Sequence, residues 1–337
     1  MGKQDILDKI KIAVIDSGID KALKSGITEI RNYTGENEFD LNGHGTSAFN
    51  YITGYCQNID VIICKVLNSS GKSESSPLIA ALTDLLDTNV NIICMPLSFA
   101  GFDNEYAVNI IHKLLEELNK KGVIIVCSYK NGSKNSFPAC DQYVVGVYGG
   151  YLDNNSVFWY KNRKMVTNIY PECIRTLNNK RCFFSGNSKA CALATVIMIE
   201  IAKKINNSSY INIYDKLSSD ARQVEWDYSQ VDRSLEKIFY YSVINRHKVV
   251  HEKSLIIKEI IIDILKNYVK DEFLVKTDQA FDDDYYNLVS NMDEFINLIS
   301  KKLSIRISDK DIFPYDFINL DYLINAVGRW DKNYEET

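Results

Sequence analysis

Three short segments carry residue types able to perform nucleophilic chemistry. Val14-Ile15-Asp16-Ser17-Gly18 ends an apolar run on a carboxylate, and Asn42-Gly43-His44-Gly45-Thr46 frames an imidazole with glycines. Ser185-Gly186-Asn187-Ser188-Lys189-Ala190 sets a hydroxyl ahead of a long apolar stretch. Each polar residue stands where an apolar run breaks at glycine, a place where the backbone can hold a side chain facing a cleft. A serine hydroxyl is a poor nucleophile at neutral pH. An imidazole in reach can take its proton, and a carboxylate can fix the imidazole's tautomer and stabilise its cation. Ser188, His44 and Asp16 therefore read as nucleophile, base and orienting group. The three other histidines, His112, His247 and His251, fall on a helical stretch or beyond the region of these motifs and read as surface or core residues.

The elements that must position these groups follow from hydrophobic periodicity. Lys11–Ile15, Val61–Val66, Val90–Met95, Val123–Cys127 and Tyr143–Tyr148 are short Val- and Ile-rich runs, as in strands buried on both faces. Between them, Pro77–Leu86 and Ala107–Leu118 repeat apolar residues at helical spacing, and Gly122 stands at a plausible C-terminal cap. Alternating strands and helices predict a doubly wound parallel sheet with functional residues at strand C-terminal ends. Ala190–Ile201 is apolar almost all round, which predicts a fully buried central helix. Ser188 at its head would lie beside free backbone N–H groups and the positive end of the helix dipole, an environment suited to an oxyanion.

The chain order Asp, His, Ser distinguishes one arrangement of this triad from others built on different folds. With these motifs, residues 10–205 resemble the subtilisin-like serine peptidases. The resemblance implies an α/β, doubly wound sheet of subtilisin type and peptide hydrolysis without a metal or cofactor. Matching Gly122–Val126 to the family strand puts Asn131 where the family supplies an oxyanion amide, a contribution of roughly 3 kcal/mol to the transition state. It also implies substrate contacts at Ser98, Phe99, Ala100 and Gly101, where an extended peptide adds as a strand, and at Tyr129 and Lys130. Several positions depart from the pattern. The family's Gly-Thr-Ser-Met-Ala-x-Pro reads here Gly186-Asn187-Ser188-Lys189-Ala190-Cys191-Ala192, and Ser128-Tyr129-Lys130 replaces small residues at the pocket wall. Larger side chains there predict a narrow specificity favouring small residues at the cut. The passage from Ala48–Gln57 into Asn58–Val66 leaves no room for the family's calcium loop. Only about fifteen residues precede Asp16, which suggests an enzyme folding without a propeptide.

Residues 1–206 are thus expected to form the peptidase domain, 207–252 a connector with helices, and 253–330 a small all-α module. In the last, "FINLISKKLSIRISDKD" followed by "FINLDYLINAV" resembles helices two and three of an acyl or peptidyl carrier protein. That likeness makes Ser290 the candidate for a phosphopantetheine group, although the Asp that should precede it is Val289.

Composition narrows the partners. With 337 residues, 46% hydrophobic, the chain can bury a full core. A net charge of −5 and the absence of a basic, aromatic-laced run argue against nucleic acid. There is no apolar stretch long enough to span a bilayer and no signal-peptide core. The eight cysteines, all between Cys56 and Cys191, form no CxxC pair and several sit in strand-like runs, which suggests reduced thiols in a cytoplasmic protein. The expectation is an intracellular serine endopeptidase acting on a dedicated peptide, for instance removing a leader from a precursor in natural-product maturation, with a biosynthetic enzyme as a partner of the C-terminal module. Two other readings compete. One is a catalytically silent peptide- or partner-binding protein, in which the bulk of Tyr129, Lys130 and Lys189 obstructs the site. The other is acyl or peptidyl transfer from the carrier-like module to Ser188.

Overall fold

A computed structural model describes residues 9–23, 27–99, 104–133, 135–152, 154–205, 210–222, 254–270 and 283–332. The chain divides into two compact units, residues 1–170, 176–178 and 185–232 in the first and 171–175, 179–184 and 233–337 in the second.

The first unit is built on β1 (Ile10–Asp16), β2 (Glu29–Asn32), β3 (Ile59–Lys65), β4 (Ile92–Met95), β5 (Ile124–Ser128), β6 (Val145–Gly150), β7 (Trp159–Lys161) and β8 (Lys164–Asn168). These form one sheet in the order β2-β3-β1-β4-β5-β6-β8-β7, parallel throughout except for the β7–β8 pair. Every residue of β4 and β5 is buried, as their unbroken apolar sequences require. The helices of this unit are α1 (His44–Tyr55), α2 (Ser75–Leu85), α3 (Glu105–Lys120), α4 (Gly186–Lys204) and α5 (Tyr210–Asp220). Leu78, Leu82 and Leu85 of α2 and Ile111, Leu115 and Leu118 of α3 close one core over Ile93 and Ile125 of the sheet. Helix α4 is buried on nearly all sides, which its apolar sequence foretold. Strands β2 and β7 escaped the sequence reading because they lie at the sheet's edges, where partial exposure leaves a polar, short signal.

None of the eight cysteines forms a disulfide, and six of them are buried. Burial pushes the Cys127 and Cys191 thiols well above their ordinary range, so they behave as small apolar groups.

In the second unit, β9 (Glu172–Arg175) and β10 (Arg181–Phe184) pair antiparallel. With them are α6 (Ser254–Leu265), α7 (Asp283–Ser290), α8 (Met292–Leu303) and α9 (Leu320–Lys332). Ile261, Phe295, Ile299, Phe317, Leu323 and Trp330 centre a separate apolar core that also includes Cys173 of β9. Membership of this hairpin corrects the expected boundary at residue 206. Arg175 donates from Nε and Nη2 to Asp309 at 2.5 and 2.8 Å, and Arg181 reaches Asp309 at 2.8 Å and Asp293 at 3.0 Å. The expected connector also divides, since α5 belongs to the first unit while residues 223–253 lie outside the described residues. Because Asp309 serves two guanidinium groups, one of them on the 7%-exposed side chain of Arg181, Asp309→Ala should destabilise the second unit by roughly 2–3 kcal/mol. Urea denaturation of wild type and variant measures that loss.

Candidate active site

Asp16 is the last residue of β1 and 1% exposed. Its carboxylate accepts the Ser17 N–H at 2.6 Å and meets His44 Nδ1 through both oxygens, at 2.9 and 2.8 Å. A carboxylate only accepts, so neutral His44 must carry its proton on Nδ1, which leaves Nε2 as a base. His44 opens α1, and its position depends on groups the sequence reading passed over. Asp40 accepts the N–H groups of Asn42 and Gly43 through Oδ1, and the N–H and hydroxyl of Thr46 through Oδ2, all at 2.6–2.9 Å. It thereby satisfies orphan donors at the head of α1. Ser17 Oγ accepts the Gly45 N–H at 2.9 Å, tying the same helix to the turn that follows Asp16. The signal for Asp40 was available: an Asp shortly before a helix start is a capping residue type.

Ser188 lies in the first turn of α4, as expected. Its hydroxyl donates to the Pro96 carbonyl at 3.1 Å, so its single proton is not given to His44 in this resting arrangement. Such contacts commonly re-form when substrate binds. Pro96 and His44 line one cleft of about 890 Å³, which places the hydroxyl beside the cavity that holds the imidazole. Gly186, at φ +79°, makes the left-handed turn into α4. Asn187 holds that turn against the sheet: Oδ1 accepts the Gly149 N–H at 2.9 Å and Nδ2 donates to the Tyr129 carbonyl at 2.7 Å. Asn131 is exposed, and its Oδ1 accepts the Asn187 N–H at 3.3 Å. That bond fastens the amide oxygen of Asn131 to the head of α4.

Ser98 and Phe99 line the cleft, together with apolar Leu97, Val108, Ile111 and Phe137. Ala100 and Gly101 fall outside the described residues. Tyr129 corrects an expectation. Its ring is 2% exposed and stacked on Tyr148 at 3.8 Å, inside the core, and it does not line this cleft. The cause is the alternation of strand side chains, which turns the residue after β5 inward. Lys130 is exposed and is not part of the cleft lining. Lys189 is fully buried, with its ammonium donating to the Asn168 carbonyl at 3.0 Å and to Asn155 at 3.3 Å, away from the substrate side of Ser188. Among the described residues, no group of three or more His, Cys, Asp and Glu gathers as metal ligands, and no helix is long and apolar enough to cross a membrane.

In the second unit, Ser290 is exposed but closes α7, and Asn291 caps the following α8. The residue before Ser290 is Val289, where the carrier pattern has an acidic one.

A doubly wound sheet with a buried Asp paired to a part-exposed cleft His and a helix-head serine defines a serine-type endopeptidase, a hydrolase. Comparison with known proteins agrees: the subtilase family profile matches residues 8–231, and the chain belongs to that family. Over 229 residues it is 25% identical to an intracellular serine protease of Paenibacillus polymyxa, spanning 60% of this chain and 68% of that protein. The crystal structure of a cold-adapted subtilisin-like serine proteinase shares the fold, with a TM-score of 0.51 at 17% identity over 62% of this chain and 81% of the other.

The negative charge of Asp16 raises the His44 pKa above the ordinary imidazole value of 6.5, and burial offsets only part of that rise. Only the neutral imidazole can take a proton, so the rate of serine modification by a fluorophosphonate should climb with pH through a midpoint above 6.5. Stability carries the opposite sign. The protonated His44–Asp16 pair stabilises the fold below the unfolded imidazole's pKa, and that contribution fades as pH rises through the folded value. Labelling rates across a pH series measure the first effect.

Proposed function

We propose that this subtilase hydrolyses a dedicated peptide substrate in the cytoplasm, with Ser188 as nucleophile, His44 as general base, Asp16 as the group orienting the imidazole and Asn131 as an oxyanion donor. The observation that carries this reading is the Asp16–His44 pair opening into the cleft on which the Pro96-bound hydroxyl borders. Rotation about the Ser188 Cα–Cβ bond frees Oγ from Pro96 and turns it to His44 Nε2. That nitrogen takes the proton as Oγ attacks the scissile carbonyl. The tetrahedral oxyanion accepts from Asn131 Nδ2 and from backbone N–H groups at the head of α4. His44 then returns the proton to the leaving amine, and water repeats the sequence on the acyl-enzyme.

A binding-only role is disfavoured, because two of the three side chains that would obstruct the site, Tyr129 and Lys189, point into the core. The cleft also shifts the expected specificity. Its apolar lining by Leu97, Val108, Ile111 and Phe137 favours a substrate with a bulky apolar side chain near the cut site, bound along Ser98 and Phe99. Removal of a leader from a precursor peptide is one task this selectivity suits. Eight cysteines with no disulfide among them and the similarity to an intracellular protease support a cytoplasmic setting.

A fluorophosphonate should label wild type and leave Ser188→Ala unlabelled, with peptide hydrolysis lower by about 10⁶-fold in the variant. Labelling that persists in Ser188→Ala overturns the assignment. In a peptide library, cleavage sites should be enriched in Leu, Ile or Phe near the cut. Indifferent cleavage would contradict the reading of the cleft.

A further inference from the structure

Lys65 ends β3 with no solvent exposure, an unusual place for an ammonium group. In the parallel pairing of β1 with β3 it stands in register with Asp16. The backbone beyond it closes on the same strand end, as Val66 and Leu67 both donate N–H to the Asp16 carbonyl, at 2.8 and 3.1 Å. Its aliphatic stem runs beneath the turn that follows Asp16; a Cβ on Gly18 would lie 3.3 Å from Lys65 Cδ. Among the described residues, the ammonium makes one hydrogen bond, to the Ser17 carbonyl at 2.9 Å.

Burying a cation on a single carbonyl is costly unless opposite charges stand close. Burial lowers the pKa of Lys65, and three carboxylates, those of Asp40, Glu36 and Asp16, offset part of that fall by favouring its charged form. Two of these, Asp16 and Asp40, also raise the proton affinity of His44, on which the Cys94 thiol acts in the same direction. The ammonium and the imidazole thus share two carboxylates. Without a compensating cation, that pair of negative charges would hold His44 protonated further into the working pH range.

We propose that Lys65 is a positioning residue of the catalytic centre: its ammonium holds the Ser17 carbonyl, and so the turn bearing Asp16, and its charge offsets part of the field of Asp16 and Asp40 on His44. This rests on the peptidase reading for its importance but not for its physics. Removing the charge raises the proton affinity of His44, and replacing Lys with Arg preserves it. A residue that served packing alone would leave the imidazole titration unmoved.

The test is an NMR titration of the His44 ring in the full chain, assigned by comparison with His44→Gln, for wild type, Lys65→Met, Lys65→Gln and Lys65→Arg. The His44 midpoint should rise by roughly half a unit or more in the Met and Gln variants and return towards wild type in the Arg variant. The Gln variant keeps a donor for the Ser17 carbonyl and serves where Met does not fold. A midpoint that is unchanged or lower in a folded neutral variant overturns the proposal. Fluorophosphonate labelling runs alongside, and its acidic limb should move in parallel with the titration. Failure of wild type to label at all sinks the peptidase reading, while the ring titration still decides the role of Lys65.

Discussion

The first turn of α1 rests directly on the turn that follows β1, and the site depends on how closely these two can approach. A Cβ on Gly45 would lie 2.4 Å from the Gly18 carbonyl oxygen and 3.2 Å from Asp16 Cβ, so only a glycine lets the helix come down far enough. At that distance His44 Nδ1 meets both oxygens of Asp16. Ser17 and Asp40 then secure the approach by taking backbone N–H groups of the helix, in place of the water that would otherwise solvate them. The carboxylate–imidazole contact is therefore a consequence of backbone packing more than of the two side chains' mutual attraction.

A similar economy governs the setting of Ser188. The α4 head has no side-chain cap from Ser185, and Asn187 takes over the work of fixing it to the sheet through Gly149 and the Tyr129 carbonyl. Asn131 completes this arrangement from the loop after β5, with its oxygen accepting from the helix. Residues that differ from the family's motif around the serine thus have structural partners here. Asn187 is an anchor and Lys189 a buried tie to the Asn168 carbonyl. The departures alter how the serine is held without crowding the side from which substrate arrives.

The second unit obeys a different logic. Beside its own apolar core, carboxylates of Asp293 and Asp309 receive the arginines of a hairpin interposed in sequence between the sheet and α4. Charge pairing of partly buried groups fixes the register of such a hairpin where a four-residue strand pair offers little area to bury.

Much of this was legible in the sequence. Unbroken Val and Ile runs determine strands buried on both faces, and the all-round apolar α4 determines a central helix, because burial is written in composition. The motifs around Asp16, His44 and Ser188 were legible as chemistry, since few residue types supply a carboxylate, a base and a hydroxyl beside glycines. Tertiary structure alone decided what lies between residues far apart in the chain. Whether Tyr129 faces a pocket or the core depends on which way a strand end turns its side chains. That Lys65 stands beside Asp16 follows from sheet register, and the hairpin's allegiance follows from ion pairs more than a hundred residues away in sequence. A linear pattern records which groups must be buried or exposed; it does not record which of them meet.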